Sequence, residues 1–246
     1  MEQLTLIIRF KNKAMTPKEY VAFSKEILLK LEDFNPIFKN LFGWGHEANA
    51  KSHFKQDKSD FEEIVFKQIE EKDITYINKE VQDKEMHWDS YSWANYGNSY
   101  SNTTKQDEKV SVSINCGSSE KEVGSFIIEF PQNNYPEFYD KNFVTRLLEY
   151  CMIFFSEIFY ATVIGDKFRS KVRITNYSFW IGWINFLPYE IIYGLLPENI
   201  EKLKIKNGTL FSISKTVITE DDEHIITEAI EIRDMLGAKG FLNYKK

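Results

Sequence analysis

Between Leu4 and Asn35 the chain changes its apolar period once. Leu4 to Phe10, rich in Leu and Ile, reads as a strand, and a polar turn follows at Lys11 to Lys13. Thr16, Pro17 and Glu19 then supply a hydroxyl cap, a proline at the first helical position and a carboxylate able to reach back to the cap's amide. Tyr20, Phe23, Ile27 and Leu31 fall at spacings of three and four, an apolar stripe on one helix face, until Asn35-Pro36 ends it. A strand leading into a helix at the outset removes all-helical and all-strand architectures.

The remaining chain keeps mixing the two periods. Gly43-Trp44-Gly45 marks a turn and Asp60 to Lys72 a charged helix. Ile74 to Asn78, Met86 to Trp93, Val110 to Asn115 and Ser125 to Phe130 read as strands of an antiparallel sheet, with alternation clearest through Val110, Val112 and Ile114. Asn95 to Thr104, rich in Asn, Ser and Tyr, and Pro131 to Pro136 read as loops. Phe143 to Phe155 carries apolar residues around most of its circumference, as a central helix would. Phe159 to Ile164 is a further strand, a basic connection follows (Lys167, Arg169, Lys171, Arg173), and Phe179 to Leu187 is strand-like up to Pro188. After a short turn or helix near Pro197 to Glu201, a hairpin is expected from Leu203 to Lys206 and Thr209 to Ser214, with Asn207-Gly208 as its turn. A final helix from about Asp222 to Leu236 has Ile225, Ala229, Ile232 and Leu236 as its inner stripe, with Gly237 and Gly240 available to end it. This order predicts an α+β fold, a mostly antiparallel sheet packed with helices. The expectation is one domain over 1–246, as a single body or as two closely associated αβ lobes, 1–135 and 136–246.

At 246 residues with 43% hydrophobic side chains, the chain can bury roughly three quarters of its unfolded surface, so a substantial core is available. Thirty-one Lys plus Arg stand against 37 Asp plus Glu, and a net charge of -6 argues against direct nucleic-acid binding, which must neutralise phosphates. The N-terminal Met-Glu-Gln lacks the positive start of a signal peptide. The longest charge-free run, Ile174 to Tyr189, is 16 residues long, short of the roughly 20 that a membrane span needs. The expected location is the cytoplasm, without membrane association. Cys116 and Cys151 are the only cysteines and lack zinc-type spacing, so two buried thiols in a reducing compartment are expected.

No motif of catalysis is present. His46, His53, His87 and His224 are the four histidines, and His46-Glu47 is followed by His53 seven positions on, opposite the face that a helical His-Glu-x-x-His site needs. Nucleophile-elbow, phosphate-loop and dinucleotide fingerprints are absent. Glu220 to His224 lacks the alternating oxygen ligands and Gly of a calcium loop. We therefore expect no enzyme activity, no metal and no cofactor.

Two segments could contact a partner. Residues 220–234 hold seven acids (Glu220, Asp221, Asp222, Glu223, Glu228, Glu231 and Asp234) and one base, Arg233; the rest of the chain holds 30 bases and 30 acids. The whole net charge thus sits on and before the terminal helix. Asp221, Asp222, Glu223, Glu228 and Glu231 could steer a basic partner, or could serve capping and solvation alone. Trp88, Tyr91 and Trp93, followed by Tyr96 and Tyr100, form the second segment. Trp88 and Trp93 cannot share one face of an unbroken strand, so either one ring is exposed, as an interface anchor or sugar-stacking platform, or a bulge turns both inward.

Ile181-Gly182-Trp183-Ile184-Asn185-Phe186-Leu187-Pro188, Leu196-Pro197, Asn207-Gly208-Thr209-Leu210, Glu228 to Leu236 and Gly240-Phe241-Leu242 lie in the stretch from Trp180 onward, about a quarter of the chain. In these elements the sequence resembles the immunity protein 52 family, which protects bacteria from polymorphic toxins of contact-dependent and type VI secretion systems. The resemblance implies a stoichiometric inhibitor of a cognate toxin, commonly a nuclease with a restriction-endonuclease-type fold, acting by protein-protein contact. Gly182, Trp183, Leu187, Pro188, Asn207, Gly208, Ala229 and Arg233 are its motif residues, mainly structural in role. A carbohydrate- or other ligand-binding module using Trp88, Tyr91 and Trp93 is the alternative, and a carboxylate-based hydrolase a more distant one.

Overall fold

The computed structural model describes residues 2–45, 51–77 and 91–244, the side chains of 71–77 excepted. Ten strands occur in it: β1 (Leu4–Lys11), β2 (Phe42–Trp44), β3 (Lys51–His53), β4 (Tyr96–Ser101), β5 (Ser111–Cys116), β6 (Val123–Glu129), β7 (Ile158–Gly165), β8 (Ile184–Leu187), β9 (Glu201–Ile205) and β10 (Gly208–Ser212). The helices are α1 (Pro17–Phe34), α2 (Phe61–Ile77), α3 (Lys141–Met152), α4 (Asp166–Val172), α5 (Ile192–Leu195) and α6 (Glu223–Ala238), with short 3₁₀ turns at Pro36–Phe38 and Pro136–Tyr139. Every pairing with a defined register is antiparallel, and the fold is α+β.

Two compact units make up the chain. One is Phe10–Ile128; the other joins Met1–Arg9 to Glu129–Lys246. The first strand thus begins in the unit that contains the C-terminal half of the chain.

In the unit of residues 10–128 the strands run in the order β3-β2-β4-β5-β6. Helix α1 starts with the reciprocal cap expected from Thr16 and Glu19: the Thr16 hydroxyl accepts from the Glu19 amide, and the Glu19 carboxylate accepts from the Thr16 amide at 2.8 Å. Its buried face holds Tyr20, Val21, Ser24, Ile27, Leu28 and Leu31. Tyr20 reaches the sheet, donating to the Ile114 carbonyl at 3.0 Å and accepting the Asn98 amide at 3.1 Å.

Several local expectations are corrected in this unit. Gly43 and Trp44 belong to β2 rather than to a turn, because Phe42 and Gly43 pair with Ser101 and Tyr100 of β4. The strand expected from Ile74 is the last part of α2, which runs to Ile77. Tyr91 to Trp93 are not a strand, and 86–90 lie outside the described residues. The stretch expected as a loop at 95–104 contains β4, whose Tyr96, Asn98 and Tyr100 alternate inward.

The second unit carries β1-β7-β8-β10-β9. Helix α3 is one-sided: Val144, Leu147, Leu148, Cys151 and Met152 are buried, whereas Ile153 just beyond is 59% exposed. The expected all-round burial fails because Arg146, Glu149 and Tyr150 interrupt the apolar set. The basic connection is itself helical, as α4. The strand expected from Phe179 starts only at Ile184, after a bend at Trp183. Cys116 in one unit and Cys151 in the other are free and buried, and burial pushes the Cys116 thiol up to about 12.

Candidate interaction surface

The motif residues close a buried corner between β7, β8 and β10. Asn185 is fully buried and donates through Nδ2 to the Gly182 carbonyl at 2.8 Å. Its Oδ1 accepts the Gly182 amide at 2.7 Å and the Thr162 hydroxyl at 3.0 Å. A Cβ on Gly182 would lie 2.5 Å from both the Val163 carbonyl oxygen and Thr162 Oγ1, so only glycine allows this approach. Trp183 is fully buried, with its indole N–H on the Ser214 carbonyl at 3.1 Å. Leu187 is buried, Pro188 half-buried, and the Thr209 hydroxyl donates to the Tyr189 carbonyl just beyond them.

The β9–β10 hairpin is present, but its turn is Lys206-Asn207: Ile205 pairs with Gly208, and Lys206 carries the positive φ of 47°. Gly208 opens β10. Its role is close approach, for a Cβ there would meet the Leu187 carbonyl oxygen at 2.4 Å. At the terminal helix, Ala229 is fully buried and the Arg233 guanidinium donates to the Val172 carbonyl at the end of α4.

Most of the acids at 220–234 are held by the chain itself. Asp222 caps α6, accepting the Ile225 amide at 3.1 Å. Glu220 accepts from Lys167 Nζ at 2.6 Å, Glu228 from Asn199 Nδ2 at 2.5 Å, and Asp234 pairs with Arg233. The bond to the Lys167 side chain holds the Glu220 carboxyl below its usual value. Asp221, Glu223 and Glu231 are exposed and carry no such bond in the structure.

Of the acids at 220–234, Glu220 and Asp221 line a concavity of about 560 Å³ whose other carboxylates, Glu2, Glu129 and Asp166, were absent from the sequence reading. Lys167 is the one base of its lining. Glu2 accepts the Lys167 backbone amide at the first turn of α4, a cap supplied from 165 residues away because Gly165 has no side chain to offer. Burial raises the Glu2 carboxyl above its usual value; the amide bond opposes this and Glu220 adds to it. Tyr139, whose hydroxyl donates to the Glu2 carbonyl at 3.2 Å, is pushed up to about 12 by burial and by Glu2. Nothing in residues 220–234 could have revealed this convergence.

The aromatic candidates belong to the other unit. Tyr91 is 58% exposed, and Trp93 is half-buried, its carbonyl accepting the Ser118 hydroxyl at 2.7 Å; Trp88 lies outside the described residues. The ring arrangement that sequence reasoning missed is Trp180, with the Arg169 and Arg173 guanidinium groups 4.8 and 5.8 Å from its ring centre.

His53 lies in the short strand β3 and His224 in the first turn of α6. Among the described residues no group of three or more His, Cys, Asp or Glu is arranged to hold a metal ion, and no helix is long and apolar enough to cross a membrane.

No family model matches the sequence, and no curated protein does. A solved structure does share the architecture: the Pseudomonas aeruginosa T6SS protein PA0821 superposes with a TM-score of 0.58 at 10% identity, over 100% of this chain and 78% of that one. The likeness is one of fold.

Proposed function

We propose that this chain is an immunity protein that binds a cognate toxin of a type VI or related secretion system and neutralises it by stoichiometric contact. The observation that carries the reading is the full-length fold likeness to a type VI secretion protein, joined by the immunity protein 52 resemblance of the segments from Ile181 to Leu242. Those segments build the corner around Asn185, the hairpin and the terminal helix, so the resemblance concerns the scaffold. No catalytic step is required of this chain, and no cofactor.

The proposed target is a nuclease domain with a restriction-endonuclease-type fold, as the resemblance implies. Such a domain needs a positive cleft for phosphates, and a carboxylate-lined surface bordering that cleft would exclude substrate by charge and volume. Asp221, Glu223 and Glu231 are the acids of the terminal segment most available for this, being exposed and outside the internal ion pairs. The test is co-expression with the toxin encoded beside this gene. Cell survival over a toxin-alone control, with a one-to-one complex on purification, supports neutralisation by binding; death without a complex refutes it.

A further inference from the structure

Among the described residues, strand β9 ends its sheet order and pairs only with β10. The two-residue turn makes Ile205 and Gly208 the closing hydrogen-bonded pair, and alternation then directs the main-chain groups of Leu203 and Glu201 toward β10 as well. The N–H and C=O groups of Lys202 and Lys204 therefore face outward, an open template for one more strand. Their side chains share one face of the sheet, each with its ammonium 5.4 Å from the Tyr193 ring centre. Lys202 also donates to the carbonyls of Leu196 and Pro197, which are neutral and leave its charge uncompensated. Leu203 is 53% exposed on the opposite face, and Ile191, next to α5, is 64% exposed.

We infer that β9 is a docking edge for an extended segment of a partner protein, added as a further strand with carboxylates opposite Lys202 and Lys204 and an apolar residue beside Leu203. The charges choose the occupant. In a second copy of this chain the outward-facing residues would again be Lys202 and Lys204, so every antiparallel register joining the two edges sets lysine opposite lysine, an unfavourable pair. An acidic strand meets the same backbone groups with attraction. This inference deepens the proposed toxin-binding role by naming a contact surface, and it can fail separately from that role.

The test uses the full chain and two blocked seven-residue peptides, one alternating Val with Glu and one alternating Val with Lys, with amide hydrogen exchange followed residue by residue. The acidic peptide should slow exchange at Lys202 and Lys204 by at least about tenfold while leaving Leu203 and Ile205 unchanged; the basic peptide should do nothing. Lys204→Glu should weaken the response to the acidic peptide. Lys204→Pro, which removes an outward donor and no internal ladder bond, should abolish the protection at Lys202. Absence of protection by the acidic peptide at millimolar concentration, or equal protection by both peptides, overturns the inference. So does a dimer of the unaltered chain that protects these two amides. If co-expression rescues cells and Lys204→Pro and Lys204→Glu leave the toxin complex intact, the edge is dismissed and the neutralising role stands; protection by the acidic peptide without rescue dismisses the role and retains the edge.

Discussion

Asn185 of β8 ties Thr162 of β7 to the main chain at Gly182 through one side chain, and the groups it serves are buried away from water. Replacing it by Ala leaves the Gly182 amide and carbonyl and the Thr162 hydroxyl unpaired in the core, so Asn185→Ala should lower stability by about 2–3 kcal/mol, read as a shift in urea midpoint at unchanged slope. Glu2 gives a pH signature of a different kind. Its carboxyl is raised in the folded state, so its stabilising contribution is complete at acid pH and is lost as pH rises through the folded value. Glu2→Gln should therefore flatten the decline of stability between mildly acid and neutral pH, as urea midpoints over pH 4 to 7 will show. Asn185 could be quoted from the sequence as part of a motif, yet its burial could not. Glu2 was visible only as an acid at the chain start, because the cleft it joins is assembled from distant segments.

Among elements, those with strong local signals were legible. The Thr16 cap, the Asp222 helix start and the alternation of β5 all appear as read, since each depends on neighbours a few residues away. β4 was hidden because Gly97, Asn98 and Ser99 are turn formers by composition. Its inward Asn98 donates through Nδ2 to Gln68 of α2 and through its backbone amide to Tyr20 of α1. The hairpin was placed correctly and its turn one residue late, since Gly208 is needed for its missing Cβ beside Leu187 and not for its dihedral freedom. The terminal helix allows fold and recognition to be separated. Asp222→Ala should cost about 1 kcal/mol through loss of the cap, whereas the triple change Asp221→Asn, Glu223→Gln, Glu231→Gln should leave the thermal midpoint within about two degrees.

At the scale of the whole molecule, charge is more evenly distributed than the sequence suggested. Glu220 and Asp234 are matched by Lys167 and Arg233, so long-range steering rests on fewer acids, of which Asp221 lies beside carboxylates from other parts of the same unit. If the exposed Asp221, Glu223 and Glu231 meet the toxin, the triple variant should slow association about tenfold in low salt and flatten its ionic-strength dependence, measured by stopped-flow fluorescence with purified toxin domain. The class of fold was legible because mixed periods and short turns allow few architectures. The division into units was not, since a discontinuous unit leaves no mark on local pattern.

That discontinuity sets a timetable for synthesis. Residues 10–128 form a continuous stretch, whereas β1 leaves the ribosome before it and the neighbours of β1, β6 and β7, begin only at Val123 and Ile158. A Leu- and Ile-rich strand must therefore wait for well over a hundred residues, which at about 5–20 residues per second is many seconds of exposure. While that wait lasts, β1 is the strand with the greatest need of chaperone cover.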